Sequence, residues 1–177
     1  MIVRIEDLKK EKEFADIDDT KLKRKLKAIE KSIRSYTNNK FIDPRIRCVG
    51  EIKDNTIITK LAEILNVEDN IELTHCLNDG PYTIKSIESN KIMIEEDTKL
   101  LDDPKIIVTK IIYPEDVQEG VINLLKWDLG LRNKVGIKSE TISRHSITYF
   151  DMDKNNSLKG YPVSLLGFLD DYIKARF

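Results

Sequence analysis

The residue types in this chain that could do chemistry stand in patterns that do not build a reactive centre. His75 and Cys76 are metal-ligand types. Adjacent side chains on a strand point to opposite faces, however, and no second Cys/His pair follows at zinc spacing. Ser143, His145 and Ser146 bring hydroxyls near a base, yet no motif places a serine on a strained turn or supplies an oxyanion hole. Hydrogen bonding in an interface loop is the expected work of these three residues. Asp102, Asp103, Asp151 and Asp153 lack the ligand cadence of a calcium loop. The seven glycines are scattered, so no loop is shaped to cradle phosphate. The expectation is a protein that is not an enzyme and that holds no metal or other cofactor.

At 177 residues the chain is long enough for one or two small domains. It is 40% hydrophobic and 34% charged, with a formal net charge of −1. That balance suits a globular protein with a heavily charged surface. It argues against a chain built mainly to grip a nucleic-acid backbone, which would show a basic excess. The opening M-I-V-R-I-E-D-L-K-K is too charged for a secretory signal, and no apolar run approaches a membrane span. Cys48 and Cys76 are expected as free, buried thiols.

Three regions must position whatever surface matters. In the first, Leu22, Leu26, Ile29, Ile33 and Tyr36 recur at helical steps after a capping Asp18 or Asp19. Asn38 and Asn39 suit the helix end, and Asp43-Pro44 closes the region. This helix also carries Lys21, Lys23, Arg24, Lys25, Lys27, Lys31 and Arg34. They form either a solvated face or a charged interface, of which Lys21, Arg24, Lys25 and Lys31 are the candidate members. The partner would be an acidic protein surface or DNA phosphates. The second region, Arg45 to Tyr113, is rich in β-branched residues in short runs separated by turn residues, and predicts an antiparallel β module. The third opens with a helix, P-E-D-V-Q-E-G-V-I-N-L-L-K-W-D-L-G-L, and closes with a predicted terminal helix, Y-P-V-S-L-L-G-F-L-D-D-Y-I-K-A-R-F. Between them lies a partly alternating linker, which predicts either a hairpin packed on its own domain or an extended arm.

The run G-I-K-S-E-T-I-S-R-H-S-I-T-Y, the following G-Y-P-V-S-L-L-G-F-L, and the closing D-Y-I-K-A-R-F resemble the head–tail connector proteins of tailed phages. These are also called head-completion or adaptor proteins, here of the kind found in phages of Gram-positive hosts. The helix ending S-Y-T-N-N-K-F adds a looser similarity near the start, and the middle of the chain departs from shorter relatives. The runs N-V-E-D-N-I-E-L-T and N-D-G-P-Y-T-I-K-S-I look like SH3-like or OB-like modules of phage structural proteins.

The expected fold is therefore α+β: a helical core from residues 1–44 and 114–177 with a small antiparallel β module inserted at 45–113, and an extended arm at 136–151. The resemblance implies a structural virion protein of the neck, assembled in the host cytoplasm. Copies would form a dodecameric ring below the portal protein, extend the DNA channel without binding DNA specifically, and offer a surface to the next neck or tail-completion protein. It nominates Lys138, Ser139, Glu140, Arg144 and Tyr149 of the arm, with Lys174, Arg176 and Phe177 at the end of the chain, as portal or subunit contacts. Another neck or tail-completion protein, or a DNA-binding module using the basic helix 21–34, is the alternative.

Overall fold

The computed structural model describes residues 1–95, 98–130, 139–142, 145–148 and 157–175, the stretches at 139–142 and 145–148 by their backbone. The chain divides into two compact units, Lys40–Tyr113 with Met1, and Ile2–Asn39 with Pro114–Phe177.

The first unit is a closed antiparallel barrel. Its strands are β1 (Ile42–Lys53), β2 (Thr56–Thr59), β3 (Asn70–Thr74), β4 (Gly80–Glu88), β5 (Lys91–Ile94) and β6 (Asp103–Ile111), in the order β1-β2-β5-β4-β3-β6. β3, β4 and β5 form a meander, and β6 returns beside β3 as in a Greek key. Inward alternation supplies the core: Ile52, Ile57, Ile71, Leu73, Ile84, Ile92, Ile106 and Val108 are buried together. Each end is plugged. A 3-10 turn at Lys60–Ile64 inserts Leu61 and Ala62, with Leu65 after it, and Leu100 fills the opposite mouth.

Two positions show how the barrel closes. β1 runs through Pro44, where the sequence predicted a break. The β1–β6 register shifts between Ile42 and Arg47, and such an irregularity tolerates a residue without an N–H. At Gly50 an added Cβ would sit 2.7 Å from the Ile58 carbonyl oxygen, so the two strands cross more closely than a side chain allows.

The second unit contains α1 (Ile5–Lys9), α2 (Asp19–Thr37) and α3 (Glu115–Gly130). The Asp18 carboxylate caps α2 by accepting from the Lys21 N–H at 2.9 Å, and Asn38 ends it in the left-handed conformation with φ 50°. Leu22, Leu26, Ile29 and Ile33 of α2, and Val117, Val121, Leu124 and Leu125 of α3, are all buried. The chain then includes two short hairpins, β7–β8 (Ser139–Ile142 with His145–Thr148) and β9–β10 (Ser157–Leu158 with Tyr161–Pro162).

The expected architecture, a helical core carrying a small β insert, is overturned. The dominant structure is the six-stranded antiparallel sheet, and helices are few. Two physical reasons account for the error. Twelve-residue β1 and nine-residue β4 and β6 close on themselves, which makes the β part a complete core instead of a partial barrel. It also differs from an OB-fold, which has five strands. The predicted terminal α-helix is instead two 3-10 stretches, Val163–Leu165 and Gly167–Tyr172. Gly167 falls in the middle of that pattern, and Leu166, Leu169 and Tyr172 are spaced by three, which aligns them on one face of a 3-10 helix.

Candidate interaction surfaces

The end of the chain is held by α2 and α3. Leu166 and Leu169 are buried, and Trp127 and Tyr161 meet as tilted rings 5.5 Å apart. The Tyr172 hydroxyl donates to the Asp116 carboxylate at 2.8 Å. That acceptor, together with partial burial and the negative charge, holds the phenol above its usual pKa. Three further bonds sew the segment to the C-terminal end of α2. The Asn39 side-chain amide donates to the Tyr172 carbonyl at 3.2 Å, the Lys174 N–H to the Thr37 carbonyl at 2.7 Å, and the Asn38 amide to the Ala175 carbonyl at 2.9 Å. The orphan carbonyl of a helix end thus gains a partner. The side chains of Ile173 and Lys174 face solvent from a fixed backbone. Arg176 and Phe177 lie outside the described residues.

Of the arm, β7 and β8 pair antiparallel, Ser139 opposite Thr148 and Glu140 opposite Ile147. Lys138, Arg144 and Tyr149 lie outside the described residues, as do Ser143, Asp151 and Asp153; for Ser139, Glu140, His145 and Ser146 only the backbone is described.

The basic helix separates into two roles. Lys21, Arg24 and Lys31 are exposed, on a stripe with Ala28 and Ser35 at alternating three- and four-residue steps. Lys25 is turned toward α3, where its ammonium pairs with the buried Asp128 carboxylate. Sequence reasoning missed that pairing, although an Asp amid the apolar positions of α3 was a usable signal. It also missed Gly120, which leaves the space that the Phe168 ring occupies: an added Cβ would come within 2.5 Å of the ring.

No known protein-family description matches this chain, and no curated protein is significantly similar to it. Function has to be argued from the surfaces themselves.

The chemical candidates are placed as follows. β3 ends at Thr74, so His75 and Cys76 sit in a turn, His75 at φ 66°, and not on a strand as expected. Asp102 accepts from the Asp54 N–H at 3.0 Å and Asp103 from the Lys105 N–H at 2.9 Å, which makes both turn-stabilising groups. Among the described residues no three His, Cys, Asp or Glu side chains gather in a metal-holding group, and no helix is long and apolar enough to cross a membrane.

Cys48 and Cys76 are free thiols, both partly buried. Burial first, and the nearby Asp79 carboxylate second, push the Cys76 thiol up from its ordinary value, against a lowering backbone bond from Asn78. The thiolate is the nucleophile, so Cys76 is expected to alkylate several-fold more slowly than free cysteine at pH 8. The pH at half-maximal rate should shift upward. Competitive labelling of the Cys48→Ser protein against free cysteine checks this; equal rates would contradict the burial.

Proposed function

We propose that this chain is a structural protein of the head–tail connector kind, acting at the neck of a tailed phage of a Gram-positive host. Copies form a ring, twelve in the virion, below the portal, extend the DNA channel and receive the next neck or tail-completion component. The chain performs no chemistry in this role, and DNA passes through without specific contacts.

The observation that carries the reading is the presentation of the chain's end. The resemblance nominates this end for portal contact, and the side-chain amides of Asn38 and Asn39, with the Thr37 carbonyl accepting from the Lys174 N–H, hold the backbone of residues 172–175 while the Lys174 side chain stays exposed. A contact made from a pre-ordered backbone loses less entropy on binding. An exposed lysine on such a backbone can offer a charge-assisted hydrogen bond to a carboxylate.

The test is negative-stain imaging of the purified protein mixed with the portal of the same phage. A ring stacked on the portal vertex is expected. Portals with no added density, or density at a different vertex component, would overturn the reading. The DNA-binding alternative makes its own prediction, duplex affinity that falls steeply with salt.

A further inference from the structure

The outward stripe of α2 holds cations that no carboxylate answers. Lys21, Arg24, Ala28, Lys31 and Ser35 lie in one line and all are exposed. The line runs about 21 Å along the helix. Lys21, Arg24 and Lys31 take part in no ion pair among the described residues. The nearest carboxylates are engaged elsewhere. Asp18 caps the helix, Asp19 pairs with Lys9 at 2.9 Å, and Asp128 takes Lys25. The remaining acid of α2, Glu30, stands three residues after Lys27 and four before Arg34, on a flank turned away from the stripe.

A second element adds charge of the same sign. Lys159, exposed in the turn between β9 and β10, lays its ammonium on α2. It donates to the Ser35 hydroxyl at 3.0 Å and to the Ser32 carbonyl at 3.4 Å. Both acceptors are neutral, so the charge stays uncompensated, and an ammonium has a third donor to offer. Like charges at helical spacing repel, and Lys21 in the first turn also opposes the helix dipole. A cation from a distant part of the chain is nevertheless fixed at the end of a row of cations. Such a row fits an extended anion laid along it.

The stripe also narrows which anion. An acidic protein surface would need apolar or aromatic anchors at the centre of the contact, because these carry most of the energy of protein interfaces. None of the exposed large hydrophobic residues among those described lies on α2. Single-stranded nucleic acid needs aromatic platforms for its bases. The one aromatic residue of α2, Tyr36, instead lines a small cavity with Ile33, Leu158 and Leu166. A duplex backbone needs only cations and small polar groups in a line, which Lys21, Arg24, Lys31, Ser35 and Lys159 supply.

We infer that the stripe of α2, extended by Lys159, binds duplex DNA through its phosphates without reading sequence. The inference deepens the connector reading and rests on it only for the duplex being DNA. Four cations per copy grip weakly, which suits a duplex that has to move past.

The test is fluorescence anisotropy of a short labelled duplex of mixed sequence with the purified protein, no portal present, across a range of salt. Four phosphate contacts give a slope of log affinity against log salt of about −3.6, a loss of about a hundredfold between 50 and 200 mM. Arg24→Glu with Lys31→Glu is expected to bind at least about tenfold more weakly at low salt, and Lys159→Ala to flatten the slope by about 1. Lys85→Glu with Lys91→Glu makes the same charge change on exposed positions of the barrel and should bind like the parent. Every altered side chain is exposed, so thermal melts should match the parent. No binding at low salt, a slope near zero, or a barrel variant that loses as much as the stripe variant would each overturn the inference. So would a stripe variant that binds DNA like the parent, including one that has lost an acidic protein partner instead. Failure here leaves the portal contact standing, since imaging on the portal tests that separately, and a failed portal experiment leaves the duplex affinity to be measured.

Discussion

Lys174→Glu is expected to give a protein that melts with the parent but docks to portal-bearing heads at least about tenfold more weakly, a difference of about 1.4 kcal/mol. The two halves of this outcome come from different atoms of one residue. The backbone N–H of Lys174 donates to the Thr37 carbonyl at 2.7 Å, and that bond survives any side chain except proline. The side chain itself is exposed, and exposed substitutions away from special features usually change stability by less than about 0.5 kcal/mol. Charge reversal at an interface removes an attraction and adds a repulsion, which slows encounter as well as weakening the complex. Truncation after Ile173 is a blunter experiment. It also deletes the Lys174 and Ala175 bonds to α2, at about 1 kcal/mol each, and so mixes folding with docking. Head-completion assays on Lys174→Glu separate the two. Parental activity there would remove the end of the chain from the portal contact while leaving the ring itself to be tested by imaging.

The second large effect is expected at Gly50. Gly50→Val should destabilise the barrel by about 1–3 kcal/mol, with hydrogen-exchange protection lost first along β1 and β2. The reason is the 2.7 Å between an added Cβ and the Ile58 carbonyl oxygen, with the Thr59 Cβ at 3.1 Å. Gly50 pairs directly with Thr59. These neighbours are backbone or close to it, and a side chain cannot swing aside to relieve the clash. Val49→Ser, one residue away and 56% exposed, is the control and should change little. A Gly50→Val protein that melts with the parent would mean that β1 and β2 are not held so close.

Much of the local structure was readable before any coordinates. The steps from Leu22 through Leu26 and Ile29 to Ile33 marked a buried helical face, and all four are buried. Asp18 and Asn38 marked its two ends because their short polar side chains favour a cap and a left-handed residue respectively. β-branched runs marked the strands β2 to β6. The register and closure of those strands were not readable, since alternation says which side chains share a face and nothing about which strand pairs with which. The candidate surface followed the same division. Lys21, Arg24 and Lys31 were correctly placed on a helix, while the diversion of Lys25 to Asp128 depended on a residue 103 positions away in sequence.

Composition and periodicity alone determined the element types in most of the chain, because burial of one face imposes a period that any reader can count. Whether the β part was an insert or the principal core was a matter of closure: β6 reaches both β3 and β1, and only the folded chain reveals a contact between such distant segments. The same holds for the Asn78 side chain, which bonds both the carbonyl and the N–H of Leu101, 23 positions further along the chain.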